Sequence, residues 1–396
     1  VTSERPRRWR WRVLAAVVPT GVVLLGATTL LPTGPRTPDA YPVPLASETQ
    51  CLPTGSLDTV ADLDAFATQV RGDPEFAGGD VGASTALQDG RQLFVFGDTL
   101  RGKDFQGQQV VRNSMLVFDG RCAQVVLPAD HGALVPDRAD GVGYWPMSVS
   151  RVERPGYDLV GVGTQRVRTT PQADPTDVFA FENLGPAVAL FVVPTGGTPQ
   201  LISTTDLGPD SPDPERPEWG AATAVAGGWI YSYGTSRRAQ PELGEAFSLR
   251  VARVRPEDLL DQSRWQYWDG TRWTDRSDTA AVLIPGQGGV SQTLSVFQRG
   301  GTWYAISKRG DFLGSELTVW TAPSPHGPFT AASTPASIPS DAATGTLRYM
   351  PLAHPDLLPE PGSVVVSYSQ NNTDIDVVRD DPRNYRPRFL RIPLPR

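Results

Sequence analysis

The sequence predicts an all-β fold, a five-bladed β-propeller preceded by an N-terminal transmembrane or signal helix, and three observations carry that prediction. Glycine (39) and proline (38) fill about a fifth of the 396 positions. They are scattered between apolar runs, which argues against long helices and against global disorder. Short apolar strands ending in a small polar pair recur at a near-constant interval. One long uncharged run stands near the N-terminus, and helical periodicity nearly vanishes after residue 70.

Residues 1–12 form a basic tail, with five Arg against Glu4. The run 13–31, VLAAVVPTGVVLLGATTLL, has 19 residues without a charge. At roughly 1.5 Å per residue it covers most of a ~30 Å hydrocarbon core, with the basic flank left on the cytoplasmic side. It is long for the apolar part of a signal peptide and lacks a clean A-x-A cleavage site, which favours an uncleaved anchor over a cleaved signal. Residues 32–50 read as a Pro-rich linker, and 51–396 as the propeller, outside the cytoplasm. Cys51 and Cys122 suit that compartment as one disulfide tying the leading segment to the first blade; two unpaired buried thiols are the alternative.

The net charge of −7 conceals an acidic body, because the tail is basic. That balance argues against a nucleic-acid partner. Only Lys103 and Lys308 are lysines. With so many Arg, and Val at position 1, the chain reads as the product of a GC-rich bacterial gene with a GTG start.

A short helix is expected over 56–70, capped by Ser56, with Leu57, Val60, Leu63, Phe66 and Val70 as its apolar stripe. Five repeats follow. Their second strands are LFVFGDT (93–99), LVGVGT (159–164), IYSYGT (230–235), WYAISK (303–308) and VVVSYS (364–369), whose ends lie 65, 71, 73 and 61 residues apart. Inner strands are expected at 81–87, 145–152, 219–226, 291–298 and 349–358, and third strands at 114–118, 187–193, 248–254, 316–320 and 388–394. Arranged radially, five such sheets leave few exposed strand edges. A β-sandwich with long loops is the competing arrangement.

Most hydrolytic chemistries lack their residues here. There is no G-x-S-x-G, and His131, His326 and His354 are the only imidazoles. Clustered zinc ligands, a dinucleotide-binding G-x-G-x-x-G and a P-loop are also missing. A two-carboxylate mechanism survives, since glycoside hydrolysis needs two acids flanking the scissile bond, one of them kept protonated, and aromatic faces for sugar rings.

In a propeller those groups belong at the central funnel, near the starts of the inner strands. Asp80 in GGDVGAS is the first candidate acid, with turn capping as its alternative. Asp98 in FGDT and Glu218 beside Trp219 are candidates for the second. Asp98 alternatively bonds the next turn, and Glu218 is alternatively a solvated charge in an acidic loop. Tyr144, Trp145, Trp219, His354 and Asp356 are the candidate substrate contacts, although a lone His is more often a packing residue. Asp311 and Glu316 flank the loop of the fourth repeat.

FVFGDT with RNSMLVF, WGAA with YSYGT, WYAISK with TVWTAPSPHGPF, and HPDL with VVVSYSQN together resemble the bacterial DUF4185 family of five-bladed propellers across roughly 79–394. More loosely they resemble the arabinanase and fructosidase propeller clans. The DUF4185 resemblance implies endo-D-arabinanase activity on mycobacterial-type cell-wall arabinan, as in glycoside hydrolase family 183. It matches GGDVG to the family's acidic-glycine motif at Asp80 and FGDT to its signature at Asp98. Asp80-Val81-Gly82 departs from the family's usual D-L-G. The expected protein is therefore a monomeric, extracytoplasmic glycosidase, bound to a membrane only through its N-terminal helix, whose partner is a cell-wall polysaccharide. It requires no cofactor and no metal at the site, although the fold allows a central calcium or sodium ion. A catalytically silent propeller that binds wall glycan or an envelope protein is the other expectation.

Overall fold

The computed structural model describes residues 45–69, 74–170 and 180–395. They form an all-β propeller of antiparallel sheets, each stepping outward from an inner strand. The first sheet runs inward through Ala46–Glu48, Cys122–Pro128, Ser114–Phe118 and Gln92–Leu100 to its inner strand Gly78–Ala86. The second runs from Gln200–Asp206 through Phe181–Pro194 and Tyr157–Thr169 to Gly143–Arg154. Outward from Glu218–Ala226, the third contains Trp229–Ser236, Ser248–Val254, Gln266–Trp268 and Trp273–Thr274. The fourth contains Ser295–Arg299, Thr302–Lys308, Glu316–Ala322 and Thr330–Ser337, and the last has only Thr346–His354, Ser363–Asn372 and Arg388–Pro393.

The expectation of a five-bladed propeller is thereby corrected. Four sheets reach the four or more strands of a complete blade, and the closing sheet stops at three. The repeat interval could not show this, because it counts second strands and is blind to an outer strand that is missing. The sheets also pack face to face. Leu93, Val95 and Met115 of the first meet Val160, Val162 and Phe191 of the second, and Phe94, Phe96 and Leu116 meet Val365 of the closing sheet. Strands buried on both faces read as near-continuous apolar runs, which is why LFVFGDT and VVVSYS were legible.

Each inner strand touches the next around the central axis. Ser148 Oγ donates to the Gly220 carbonyl at 2.6 Å, the Ala353 amide to Ser295 Oγ at 2.8 Å, and the Val81 amide to Ser369 Oγ at 2.9 Å. The ring closes where the Gly79 amide donates to the Tyr385 carbonyl at 2.8 Å and the Phe389 amide to Asp64 Oδ1 at 2.7 Å.

Three other expectations shift. The helix is Val60–Gln69. Its cap is Thr59, whose hydroxyl accepts from the Asp62 amide at 3.1 Å while Asp62 accepts from the Thr59 amide at 2.8 Å, so Ser56 lies outside the cap. The fourth inner strand begins at Ser295 rather than 291, because the Ser291 amide donates sideways to Ser307 Oγ at 2.8 Å and the Leu294 amide to the Ala221 carbonyl at 3.3 Å. The first sheet starts inside the expected linker, at Ala46.

Cys51 and Cys122 form the disulfide, with Cα atoms 5.3 Å apart. Among the described residues no helix is long and apolar enough to cross a membrane. The tail 1–12 and the apolar run 13–31 lie outside the described residues.

Candidate active site

Strand pairing is irregular where the inner strands begin. Register shifts fall between Gly79 and Ala83, Pro146 and Ser148, Trp219 and Ala222, and Tyr349 and Leu352. Such bulges bend a strand and re-aim its side chains. At two of them a non-glycine residue takes positive φ, +65° at Val81 and +45° at Met350. That conformation is unfavourable for these side chains, so surrounding contacts must enforce it. In the first sheet the bulge sets the Asp80 carboxyl against Gly97 on the neighbouring strand. A Cβ on Gly97 would lie 2.4 Å from Asp80 Oδ1, so the glycine of FGDT leaves the space that the acid occupies.

Asp80 and Asp98 line one cavity of about 140 Å³ at this mouth of the central funnel. Trp145, Gln165, Gln292, Tyr349, Asn371 and Tyr385 line it too. Asp80 Oδ2 accepts from the Tyr349 hydroxyl at 2.7 Å, and its carboxyl also accepts from the Tyr385 hydroxyl. Burial pushes the Asp80 pKa up to about 6 despite those two donors. Asp98 Oδ1 accepts from Trp145 Nε1 at 2.7 Å. Burial, and then the neighbouring charge of Asp80, push the Asp98 pKa up to about 7. The charge of Asp80 thus couples the titration of Asp98 to its own. Around them, Gln165 Oε1 accepts from Gln292 Nε2 at 2.6 Å and from Asn183 Nδ2 at 2.8 Å. Trp145 meets Phe181 edge to face with ring centroids 4.6 Å apart.

The structure therefore brings Asp80, Asp98 and Trp145 together, and places the other candidates elsewhere. Glu218 is buried at the start of its strand and does not line the cavity. Burial raises its pKa to about 8 against the attraction of Arg166 and Arg216, and its Oε1 has no hydrogen-bond partner. Tyr144, next to Trp145, points to the opposite face as strand alternation requires. It packs between the first and second sheets and donates to Asp206 Oδ1 at 3.2 Å. Trp219 is buried against Tyr267, centroids 5.1 Å apart, which leaves little of its ring for a sugar. His354 lies between Ser84 Oγ at 2.6 Å and Ser367 Oγ at 2.7 Å. Burial pulls its pKa down to about 3, so it is a neutral packing residue. Asp356 lies exposed at the other mouth of the funnel.

Sequence reasoning missed Tyr349, Tyr385, Gln165, Gln292, Asn371, Phe181 and Phe312. Tyr349 had a signal, an aromatic residue opening an inner strand beside Met-Pro, as Trp145 does beside Pro-Met. Tyr385 had none, since it reaches the axis from the loop that follows Ile375–Asp380. Among the described residues no group of three His, Cys, Asp or Glu side chains is placed to hold a metal ion.

The sequence model of a family described as a domain of unknown function, DUF5005, matches residues 61–393. This corrects the resemblance to DUF4185. No curated protein matches the chain. A Bacteroides ovatus protein provisionally named a hydrolase is similar in structure, with TM-score 0.60 and 19% identity over 91% of this chain and 95% of that one. A β-xylosidase/α-arabinofuranosidase from a compost metagenome is similar at TM-score 0.46 and 12% identity, covering 88% and 95%. The catalytic domain of a Coprinopsis cinerea α-L-arabinofuranosidase follows at 0.45 and 9%, covering 83% and 91%. Only the first is near enough to bear on the fold, and it bears on the fold alone.

Proposed function

The chain belongs to the DUF5005 family, and from that premise we propose that it is a glycoside hydrolase whose two carboxyl groups are Asp80 and Asp98. One observation carries the reading: two acids with raised pKa values sit in one cavity of amides, hydroxyls and aromatic rings at the mouth of a propeller funnel. Near neutral pH the acid that titrates higher, Asp98, keeps its proton and serves as general acid. Asp80, ionised and steadied by two tyrosine hydroxyls, serves as base or nucleophile.

Among the described residues the cavity lining contains no Lys or Arg, which favours a neutral sugar over a uronic acid or a phosphorylated one. Its small volume favours a single ring as the recognised unit, and the five-membered ring is the more compact choice. The substrate proposed is a furanosidic cell-wall polysaccharide, with D-arabinan as the first to test. The disulfide supports an extracytoplasmic site of action, and a monomer suffices because all the site residues come from one chain.

The test incubates the oxidised protein with mycobacterial-type arabinogalactan and with fructans, and assays released oligosaccharides beside an Asp80→Asn control. Release that disappears in the control is the expected result. A folded protein that releases nothing from any of them, yet binds one, would instead be a glycan-binding propeller.

A further inference from the structure

Lys308 ends the second strand of the fourth sheet and is completely buried. Its ammonium donates to the Arg348 carbonyl at 2.5 Å and to the Phe312 carbonyl at 3.4 Å. Those carbonyls flank one stacked pair of rings, since Arg348 precedes Tyr349, and Phe312 and Tyr349 lie with centroids 4.9 Å apart and planes 23° apart. Tyr349 is the residue whose hydroxyl donates to Asp80 Oδ2 at 2.7 Å. Both rings line the cavity that holds the acids. A short path of direct contacts therefore leads from a buried cation, through two aromatic rings, to a carboxylate of the site.

The loop that carries Phe312 is wound tightly. Gly310 and Asp311 take positive φ, +78° and +53°. A Cβ on Gly314 would lie 1.7 Å from the Arg309 carbonyl oxygen, so the loop closes on itself only with glycine there. Asp311 attracts Lys308 electrostatically from within the same loop. Burial nevertheless lowers the Lys308 pKa to about 8. A desolvated cation spent on two carbonyls is an expensive way to hold a loop. It makes sense where the position of the loop matters.

We propose that Phe312 is the sugar-stacking wall of the site and that Lys308 is the positioning residue that fixes this wall relative to Asp80. The inference rests on the glycoside hydrolase reading and names two residues that act on substrate affinity rather than on the proton transfer. Phe312 touches the sugar; Lys308 acts through the position of that ring.

The test titrates oligosaccharides cut from D-arabinan into the full chain carrying Asp98→Asn, by calorimetry, and measures KM and kcat in the otherwise unaltered protein. Phe312→Ala is expected to weaken binding about tenfold, the size of one aromatic contact. Its rise in KM should exceed its fall in kcat, and Phe312→Tyr should restore affinity to within about threefold. Lys308→Met should show the same KM effect, and the double variant should bind no worse than the weaker single one, because both act on one wall. Unchanged affinity in Phe312→Ala overturns the proposal even if Lys308→Met fails to fold, and strictly additive losses overturn the positioning role. If the unaltered protein releases sugar while Phe312→Ala behaves like its parent, only this inference fails. Absence of both release and binding in the parent proteins overturns it together with the glycosidase reading.

Discussion

The two mouths of the central funnel are built from the same inner strands and differ in almost everything else. At the strand starts the pairing is interrupted by bulges, two non-glycine residues take positive φ, and acids, phenols and amides converge on about 140 Å³. At the other mouth the inner-strand pairing is regular, and a wider cavity of about 410 Å³ is lined by hydroxyls such as Ser84, Ser150, Thr223 and Ser295. Between them, Val81, Ala83 and Leu352 form an apolar layer. Regular strands present side chains at fixed spacings dictated by the pleat, whereas bulged ones can be aimed. The inner-strand bulges and the buried pair of acids therefore gather at one end, where the chemistry is proposed to be.

The sharpest way to break this comparison is to remove a carboxylate from the bulged mouth. Asp80→Asn and Asp98→Asn should each lower turnover by about 10³-fold, the scale of a lost general acid or base, in assays of sugar release. Full activity in either variant would remove that acid from the mechanism. Next comes Gly97→Ala. Its methyl group would crowd Asp80 Oδ1 and lie 3.3 Å from Val81 Cγ2, so turnover should fall about 10²-fold with the acids intact, as expected for a misplacement near 1 Å.

A smaller effect tests the proton assignment. Activity requires Asp80 ionised and Asp98 protonated, so it should be lost as pH falls through about 6 and again as pH rises through about 7. Trp145 stabilises the ionised form of Asp98 through its indole N–H, and that hydrogen bond lowers the Asp98 pKa. Trp145→Phe should therefore move the alkaline limb of the kcat/KM profile to higher pH; a shift of that limb to lower pH would reverse the assignment. The smallest effect is expected at the regular mouth. Gln298, exposed there, should tolerate Gln298→Ala with activity within about twofold, as surface changes usually do.

Much of the first sheet's contribution was legible because its signals are local. GGD at the start of one strand and FGDT at the end of the next place an acid and a glycine on paired neighbours, and antiparallel pairing brings them together. Trp145 was legible as an aromatic residue opening an inner strand. Its neighbour Tyr144 was misread because both were assigned to the axis, although consecutive strand residues face opposite ways. Trp219 and His354 were misread for another reason. Both are polar-tipped residues close to the funnel, and whether such a residue meets solvent or a packed ring depends on what the adjacent sheet places against it. Tyr267 covers Trp219, and Ser84 and Ser367 take both nitrogens of His354.

Composition and the recurrence of apolar strands by themselves pointed to an all-β propeller and the two cysteines to a disulfide, and they left Asp80, Asp98 and Glu218 as candidate acids, because strand periodicity and turn chemistry are short-range properties. Only the tertiary structure decided that the closing sheet has three strands, that Glu218 stays outside the cavity, and that Tyr349, Tyr385 and Phe312 complete it. Those residues reach the axis from places 232 to 305 positions beyond Asp80. Their meeting is set by closure of the ring, which no local pattern encodes, and the raised pKa values of Asp80 and Asp98 follow from the burial that closure creates.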